Sequence, residues 1–274
     1  MSTHHRRGLA VIAAAVATAV TVLPAAATAD AGDRTAKPTV ILEHGAFADG
    51  SSWNQVVAGL RRDGYPVVAA ANPLRGVASD AAALRGLIDH VDGPVILVGH
   101  SYGGSVISAA GAGNSKVKAL VYVAAFLPEA GESALGLSTK FPGSTLPGAL
   151  ETVTGPDGPE LYIRQDAFHR QFAADVPARE AALMAAAQRP VAQAALEEQA
   201  TAPAWREKPS WDVITTKDLN IPVAAQRFMA KRANAHVTEV AASHAVTVSH
   251  PGVVVDVIET ADRATRTRTR TRTR

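Results

Sequence analysis

The chain has 274 residues, 47% hydrophobic and 19% charged, enough for one large α/β domain or two small ones. It contains no cysteine, which excludes a disulfide framework and any thiolate metal site. Its 27 basic and 25 acidic residues give a net charge of +2, yet without Arg6, Arg7 and the five arginines of the C-terminal tail the balance is 20 against 25, or −5. The positive charge therefore belongs to the two ends, and the body gives no reason to expect a nucleic-acid partner.

The N-terminus opens with His4-His5-Arg6-Arg7, an unbroken apolar and small run over 8–23, Pro24, and then Ala25-Ala26-Ala27-Thr28-Ala29. This order predicts a secretory signal peptide over 1–29, cleaved after Ala29. The rival is a retained anchor, but roughly 16 apolar residues are short of the ~20 that a membrane span needs. The protein is therefore expected to be secreted, with no stable membrane association after cleavage. Residues 30–37 read as a linker. A strand is expected over 39–42, followed by a helix over 51–63 with Trp53, Val56, Val57 and Leu60 on one face and Gly64 as its stop. Residues 66–71 form a second strand candidate. Ser79 caps an expected helix to about residue 91. A strand over 94–98, a helix over 102–111 and a strand over 117–125 follow. The strands are continuous apolar runs, as expected when helices cover both faces of a sheet. Alternation with helices predicts right-handed crossovers and a mostly parallel sheet.

Between about 128 and 208 the rhythm changes. Pro and Gly cluster over 142–159, and helical segments follow over 166–174, 177–188 and 191–200 with no strong strand. The segment reads as a helical cap inserted over the sheet. The alternation then resumes with a strand over 211–215, a helix over 223–233, a strand over 237–241 and a terminal helix over 251–264 that has Pro at its first turn. Five Thr-Arg pairs over 265–274 have nothing to bury and are expected to be disordered.

Gly99-His100-Ser101-Tyr102-Gly103 reads G-x-S-x-G directly after a strand and before a helix. Such a turn holds a serine hydroxyl out where it can react, and small residues at Gly99 and Gly103 let the backbone close up. A serine needs a base, and the base needs an orienting partner. Both should follow late strands, because ligands bind beyond the carboxyl ends of an open parallel sheet. Asp218 follows the strand over 211–215 by two residues. Its rivals are Asp212 inside that strand and Asp256 in mid-helix. His244 follows the strand over 237–241. Its main rival is His250, just before Pro251. His236 lies at the wrong end of its strand, His100 is buried inside the elbow, and His90 and His169 fall on helix surfaces. The chain order Ser101, Asp218, His244 is the order of one hydrolase architecture. His44-Gly45-Ala46-Phe47 follows the first strand. The amides of Ala46 and Tyr102 are the candidate oxyanion donors, with Phe47 as the fallback for Ala46, and His44 holds the loop. Glu43, a charge at the end of a buried strand, has no account.

Four stretches carry a family resemblance. They are residues 44–53, Val98-Gly99-His100-Ser101-Tyr102-Gly103-Gly104, Leu120-Val121-Tyr122-Val123-Ala124-Ala125-Phe126, and Ser243-His244-Ala245. Over about 39–261 the chain resembles an α/β-hydrolase of the small bacterial esterase type, and it is similar to the plant methylesterase and hydroxynitrile lyase branch. The resemblance implies an α/β-hydrolase domain over 38–264, with Ser101 as nucleophile, His244 as general base and Asp218 as its orienting acid. It implies a small carboxylic ester as substrate, cleaved without metal or organic cofactor. The lyase branch has a lysine after the catalytic histidine and a threonine after the first histidine of the oxyanion loop. Ala245 and Gly45 stand there in this chain, which argues against cyanohydrin cleavage. Phe47, Phe126 and Leu127 are the expected substrate contacts. Phe141, Leu146, Phe168 and Trp205 of the cap line the pocket or form cap core, with core favoured for Phe168 and Trp205. The same triad also suits a cofactor-free perhydrolase of haloperoxidase type. A binding protein on an inactive hydrolase scaffold is the reading from another class, and an intact triad argues against it. Oligomeric state is not set by any of these features.

Overall fold

The structure, a computed structural model, describes residues 37–272, with side chains as far as 266. The expected signal peptide and nearly all of the linker lie outside the described residues, as do the last two residues of the tail. The first half of the chain alternates strands and helices: β1 (Thr39–Glu43), α1 (Asn54–Arg62), β2 (Val67–Ala70), α2 (Val77–His90), β3 (Val95–His100), α3 (Gly103–Gly111) and β4 (Val117–Val123). An inserted segment contains α4 (Ala134–Thr139), β5 (Leu150–Gly155), β6 (Gly158–Ile163), α5 (Gln165–Phe172), α6 (Ala178–Ala187), β7 (Val191–Ala192) and α7 (Gln193–Glu197). The last part runs β8 (Ser210–Thr215), α8 (Val223–Arg232), β9 (His236–Val240), α9 (Val246–Ser249) and α10 (Pro251–Arg272).

The main sheet has six strands in the order β2-β1-β3-β4-β8-β9, all parallel. Side chains alternate across it. Ile41, Leu97 and Leu120 pack with Leu84 and Ile88 of α2 and Val106 and Ile107 of α3 on one face. Val40, Leu42, Ile96 and Val98 pack with Val56 and Leu60 of α1 and Val254 and Ile258 of α10 on the other. The continuous apolar runs thus fill two cores, one per face. The chain leaves β1 for β2 on one side and returns to β3 on the other. Glu43 at the end of β1 is paired with Gly99 near the end of β3, so the segments after these two strands emerge side by side, as at the switch point of an open α/β sheet.

Three expectations need correction. The insertion is not purely helical, because β5 and β6 form an antiparallel hairpin around Pro156-Asp157, and β7 joins β6. β5 is mostly solvent-facing and β6 buries only Leu161 and Ile163 at its end, so neither carries a long apolar run or full alternation. The surviving signal is the turn Gly155-Pro156-Asp157-Gly158. Ser79 lies in the first turn of α2 and gives its hydroxyl to the Gly76 carbonyl (3.0 Å), and Gly76 takes the cap position. The Thr-Arg repeat is not disordered from 265, because α10 continues through it to Arg272. At the start of the repeat the helix has specific support. The Thr265 hydroxyl donates to the carbonyls of Ala261 and Asp262, and Arg266 pairs with Asp262 one turn earlier.

Candidate active site

Ser101 stands at φ +54° between β3 and α3. The left-handed region costs a residue with a side chain on the order of 1–3 kcal/mol and persists where the surroundings enforce it. Here its N–H is given to the Val123 carbonyl (3.2 Å), and its own carbonyl accepts from Gly104 (3.0 Å) and Phe126 (3.1 Å). A Cβ at Gly99 would lie 2.6 Å from the Gly103 carbonyl oxygen, and one at Gly45 would lie 2.6 Å from Ser101 Cβ. Glycine at these positions lets the elbow close and brings the loop after β1 against it.

The loop after β9 carries His244. Its Nδ1 donates to Asp218 Oδ2 at 2.8 Å, with both side chains buried. The carboxylate can only accept, so Nδ1 carries the proton and Nε2 is left as an acceptor. Asp218 Oδ1 accepts the amides of Asn220 (2.8 Å) and Ile221 (3.0 Å). Its Oδ2 also accepts from the Thr215 hydroxyl (2.8 Å) and from Gln226 Nε2 (3.1 Å). Burial raises the Asp218 carboxyl, but the charge of His244 and these hydrogen bonds outweigh it and hold the group below the ordinary aspartate value. It therefore remains ionised.

The backbone of His244 is held as well. His100 Nε2 donates to its carbonyl at 2.9 Å, and the Ala245 amide donates to Phe172 O at 3.0 Å. The Phe172 ring meets the His244 ring edge-on at 4.9 Å. Burial pushes the His100 imidazole down to about 3, so it is neutral. The sequence marked His100 only as buried, and its grip on His244 is set by a partner 144 positions away.

Ala46, Phe47, Ser101, Tyr102, Phe126 and His244 line one cavity, which encloses about 620 Å³ including space open to solvent. Among the described residues, no acceptor meets the amides of Ala46 and Tyr102. The Phe47 amide, by contrast, is committed to Arg189 O at 3.1 Å. Ala46 and Tyr102 are thus the available pair, and the fallback donor drops out. His44 holds the loop by donating from Nδ1 to Gly45 O (2.9 Å) and accepting the Asn72 amide at Nε2 (3.1 Å). Burial lowers its pKa. Glu43, the residue before His44, is buried, and burial, then the charge of Asp80, push its carboxyl up to about 8. At neutral pH it is a neutral acid rather than a charge.

Leu127 is not a pocket residue. It is fully buried in the core, and its amide faces Met229 Sδ at 3.2 Å. Adjacent residues of extended chain point opposite ways, so Phe126 takes the cavity and Leu127 the core. Leu146 lines the cavity. Phe141 packs on Phe228 instead (5.5 Å). Phe168 stacks on Phe172 (4.9 Å), and Trp205 Nε1 bonds Pro128 O (2.9 Å), so both are cap core. His250 is 3.7 Å from Asp175, and His236 packs on Trp211. Asp212 is buried without a partner for either oxygen among the described residues. The wall also includes Leu135, Leu150, Leu161, Leu196, Asn220 and Ile221, none of which the sequence singled out. Asn220 had one weak signal, its position two residues after Asp218.

A parallel sheet with a strained serine elbow after its third strand and an Asp–His pair after its last two strands describes the α/β-hydrolase class. The sequence agrees. A profile described as "Alpha/beta hydrolase family" matches residues 40–257, and the chain belongs to that family. It is 35% identical over 113 residues to a carbendazim hydrolyzing esterase of Nocardioides sp. (strain SG-4G), covering 36% of this chain and 47% of that esterase. The chain thus spans about half the length of that relative. Over 256 residues it is 28% identical to the alpha/beta hydrolase nvfD of Aspergillus novofumigatus, covering 82% and 96% of the two chains. Among solved structures, a pyrethroid hydrolase from Sphingobium faniae superposes with a TM-score of 0.68 at 23% identity, covering 82% of this chain and 97% of the other. That likeness is one of fold.

Proposed function

We propose that the protein is an exported serine hydrolase that cleaves a small, uncharged carboxylic ester through an acyl-enzyme on Ser101. One observation carries this reading: the strained Ser101 elbow shares a cavity with His244, whose Nε2 is left as acceptor by its bond to Asp218. Ser101 Oγ attacks the ester carbonyl and His244 Nε2 takes its proton. The tetrahedral oxyanion meets the amides of Ala46 and Tyr102. As the ester C–O bond breaks, the His244 imidazolium returns the proton to the leaving alcohol. Water, deprotonated by the same nitrogen, then releases the acid and frees Ser101. General acid–base help contributes about 10²–10⁴-fold, and an oxyanion donor about 10²–10³-fold. The relatives named as an esterase and as hydrolases support the reaction class.

The test is to incubate the purified protein with p-nitrophenyl esters of increasing chain length and with a fluorophosphonate. Turnover of the esters and an adduct on the peptide carrying Ser101 are expected. No turnover together with no adduct overturns the reading. Export is tested separately by N-terminal sequencing of the protein from culture medium. A mature start at Asp30 is expected, and retention of residues 1–29 refutes cleavage.

A further inference from the structure

The cavity above Ser101 is walled by Leu135, Leu146, Leu150, Leu161, Leu196 and Ile221, and among the described residues no Lys, Arg, Asp or Glu lines it. Three further polar residues line it: Ser138, Ser144 and Asn220. Ser138 gives its hydroxyl to the Leu135 carbonyl, and Ser144 accepts the Leu146 amide. Asn220 differs. It is 3% exposed, and its Oδ1 accepts from Gln171 Nε2 at 2.8 Å. Gln171 cannot turn around. Its other Nε2 hydrogen goes to the Leu219 carbonyl (2.8 Å), and its Oε1 accepts the Thr145 hydroxyl (2.8 Å). With a donor fixed opposite it, Asn220 must present its oxygen there, which assigns the amide orientation from the network. Its Nδ2 is then a buried donor with no partner among the described residues.

An unmet buried donor costs about 1–3 kcal/mol, and such groups are few in native structures and call for an explanation. Here the residue lines the cavity beside Ser101 and His244, and its backbone amide is anchored on Asp218 Oδ1 at 2.8 Å. Its backbone is thus fixed to the carboxylate that holds His244, and its side chain is fixed by Gln171. We propose that Asn220 Nδ2 binds a second, uncharged acceptor oxygen of the substrate, so that the site prefers neutral, largely apolar esters carrying a keto, ether or second ester oxygen. This rests on the acyl-enzyme reading for the place of the scissile bond. Charged esters are disfavoured, because an ion buried in this cavity would find no counter-charge.

The experiment compares p-nitrophenyl hexanoate with p-nitrophenyl oxohexanoates bearing the keto oxygen at each successive carbon. The wild-type protein should favour at least one oxo ester in kcat/KM by about tenfold, which corresponds to ~1.4 kcal/mol. In Asn220→Leu and Asn220→Val, which remove the donor but retain the backbone amide, that ratio should fall to about one. If the wild type favours no oxo ester, or if the preference survives in both variants, the proposal is overturned. If neither variant folds, the wild-type ranking alone decides. Calorimetric affinities of hexanamide and the matching oxohexanamides for Ser101→Ala read the same preference without turnover. A retained preference with no ester turned over by the wild type overturns the acyl-enzyme reading alone. Turnover without an oxo preference overturns the Asn220 proposal alone.

Discussion

At the scale of single residues, the nearest competitors for the base are separated by their partners. His244 is bonded to a buried aspartate inside the cavity, whereas His250 is half-exposed near Asp175. His244→Ala should lower kcat by at least ~10²-fold, the lower range of general acid–base help, and His250→Ala should leave turnover of p-nitrophenyl esters largely intact. Steady-state kinetics on both variants decides the assignment, and the reverse result would move the base to His250. His100 makes a subtler prediction. It touches no substrate but fixes the carbonyl of His244, so it is a positioning residue. His100→Leu leaves that buried carbonyl unmet, about 1–3 kcal/mol. It should lower kcat by roughly tenfold for each 1.4 kcal/mol that reaches the transition state, with KM little changed. His100→Gln, whose amide can still donate, should restore most of the loss. An equal fall in both variants would reduce His100 to a packing role. That Ser101, Asp218 and His244 would be grouped was legible in the sequence, because the glycine-flanked elbow marks one strand end and a parallel sheet brings the ends of its later strands to the same edge. Asn220 was not legible, since what sets it apart is a hydrogen bond from Gln171, 49 positions away.

At the scale of elements, β8 combines a structural fault with a functional end. Its last residue, Thr215, supports Asp218 through its hydroxyl. In mid-strand, Asp212 is buried opposite Tyr122 of β4 with neither oxygen bonded among the described residues. Burial raises its pKa well above the ordinary value, so it sits in the sheet as an unpaired neutral acid. Replacing a buried, unsatisfied polar group by an apolar one of suitable shape is neutral or favourable. Asp212→Val should therefore raise the unfolding free energy by about 1 kcal/mol, visible as a higher denaturant midpoint with unchanged slope. A drop in the midpoint would mean that Asp212 has a partner in solution. The core strands were readable as elements because their apolar runs are imposed by burial on both faces. The cap hairpin escaped because Glu151 and Val153 on β5 are exposed and β6 buries only Leu161 and Ile163, too short an alternation to mark a strand. The terminal helix was cut short in the sequence reading because composition alone misses the hydroxyl and ion-pair contacts that carry α10 past residue 264.

At the scale of the whole molecule, the buried ionisable groups set opposite limits on stability. His100 is neutral in the fold, with its pKa lowered from 6.5 to about 3. Between these values the unfolded chain binds the extra proton, so stability present above pH 6.5 is lost as the pH falls towards 3. Glu43 acts in the other direction. Its pKa is raised from 4.5 to about 8, so the unfolded chain ionises first, and stability present below pH 4.5 is lost as the pH rises to 8. The two effects predict a stability maximum on the mildly acidic side of neutrality, bounded by two different residues. Glu43→Gln removes the alkaline term while retaining size and a neutral polar head. Its melting temperature should exceed that of the wild type at pH 8 and converge with it at pH 4.5. Glu43 immediately precedes the loop that offers the Ala46 amide, so kcat at alkaline pH should hold up better in the variant if ionisation of Glu43 loosens that loop. Thermal melts across pH 4 to 9, with ester turnover at each pH, test both parts. Parallel melting curves for the two proteins at every pH would show that Glu43 is ionised in the fold and has another partner.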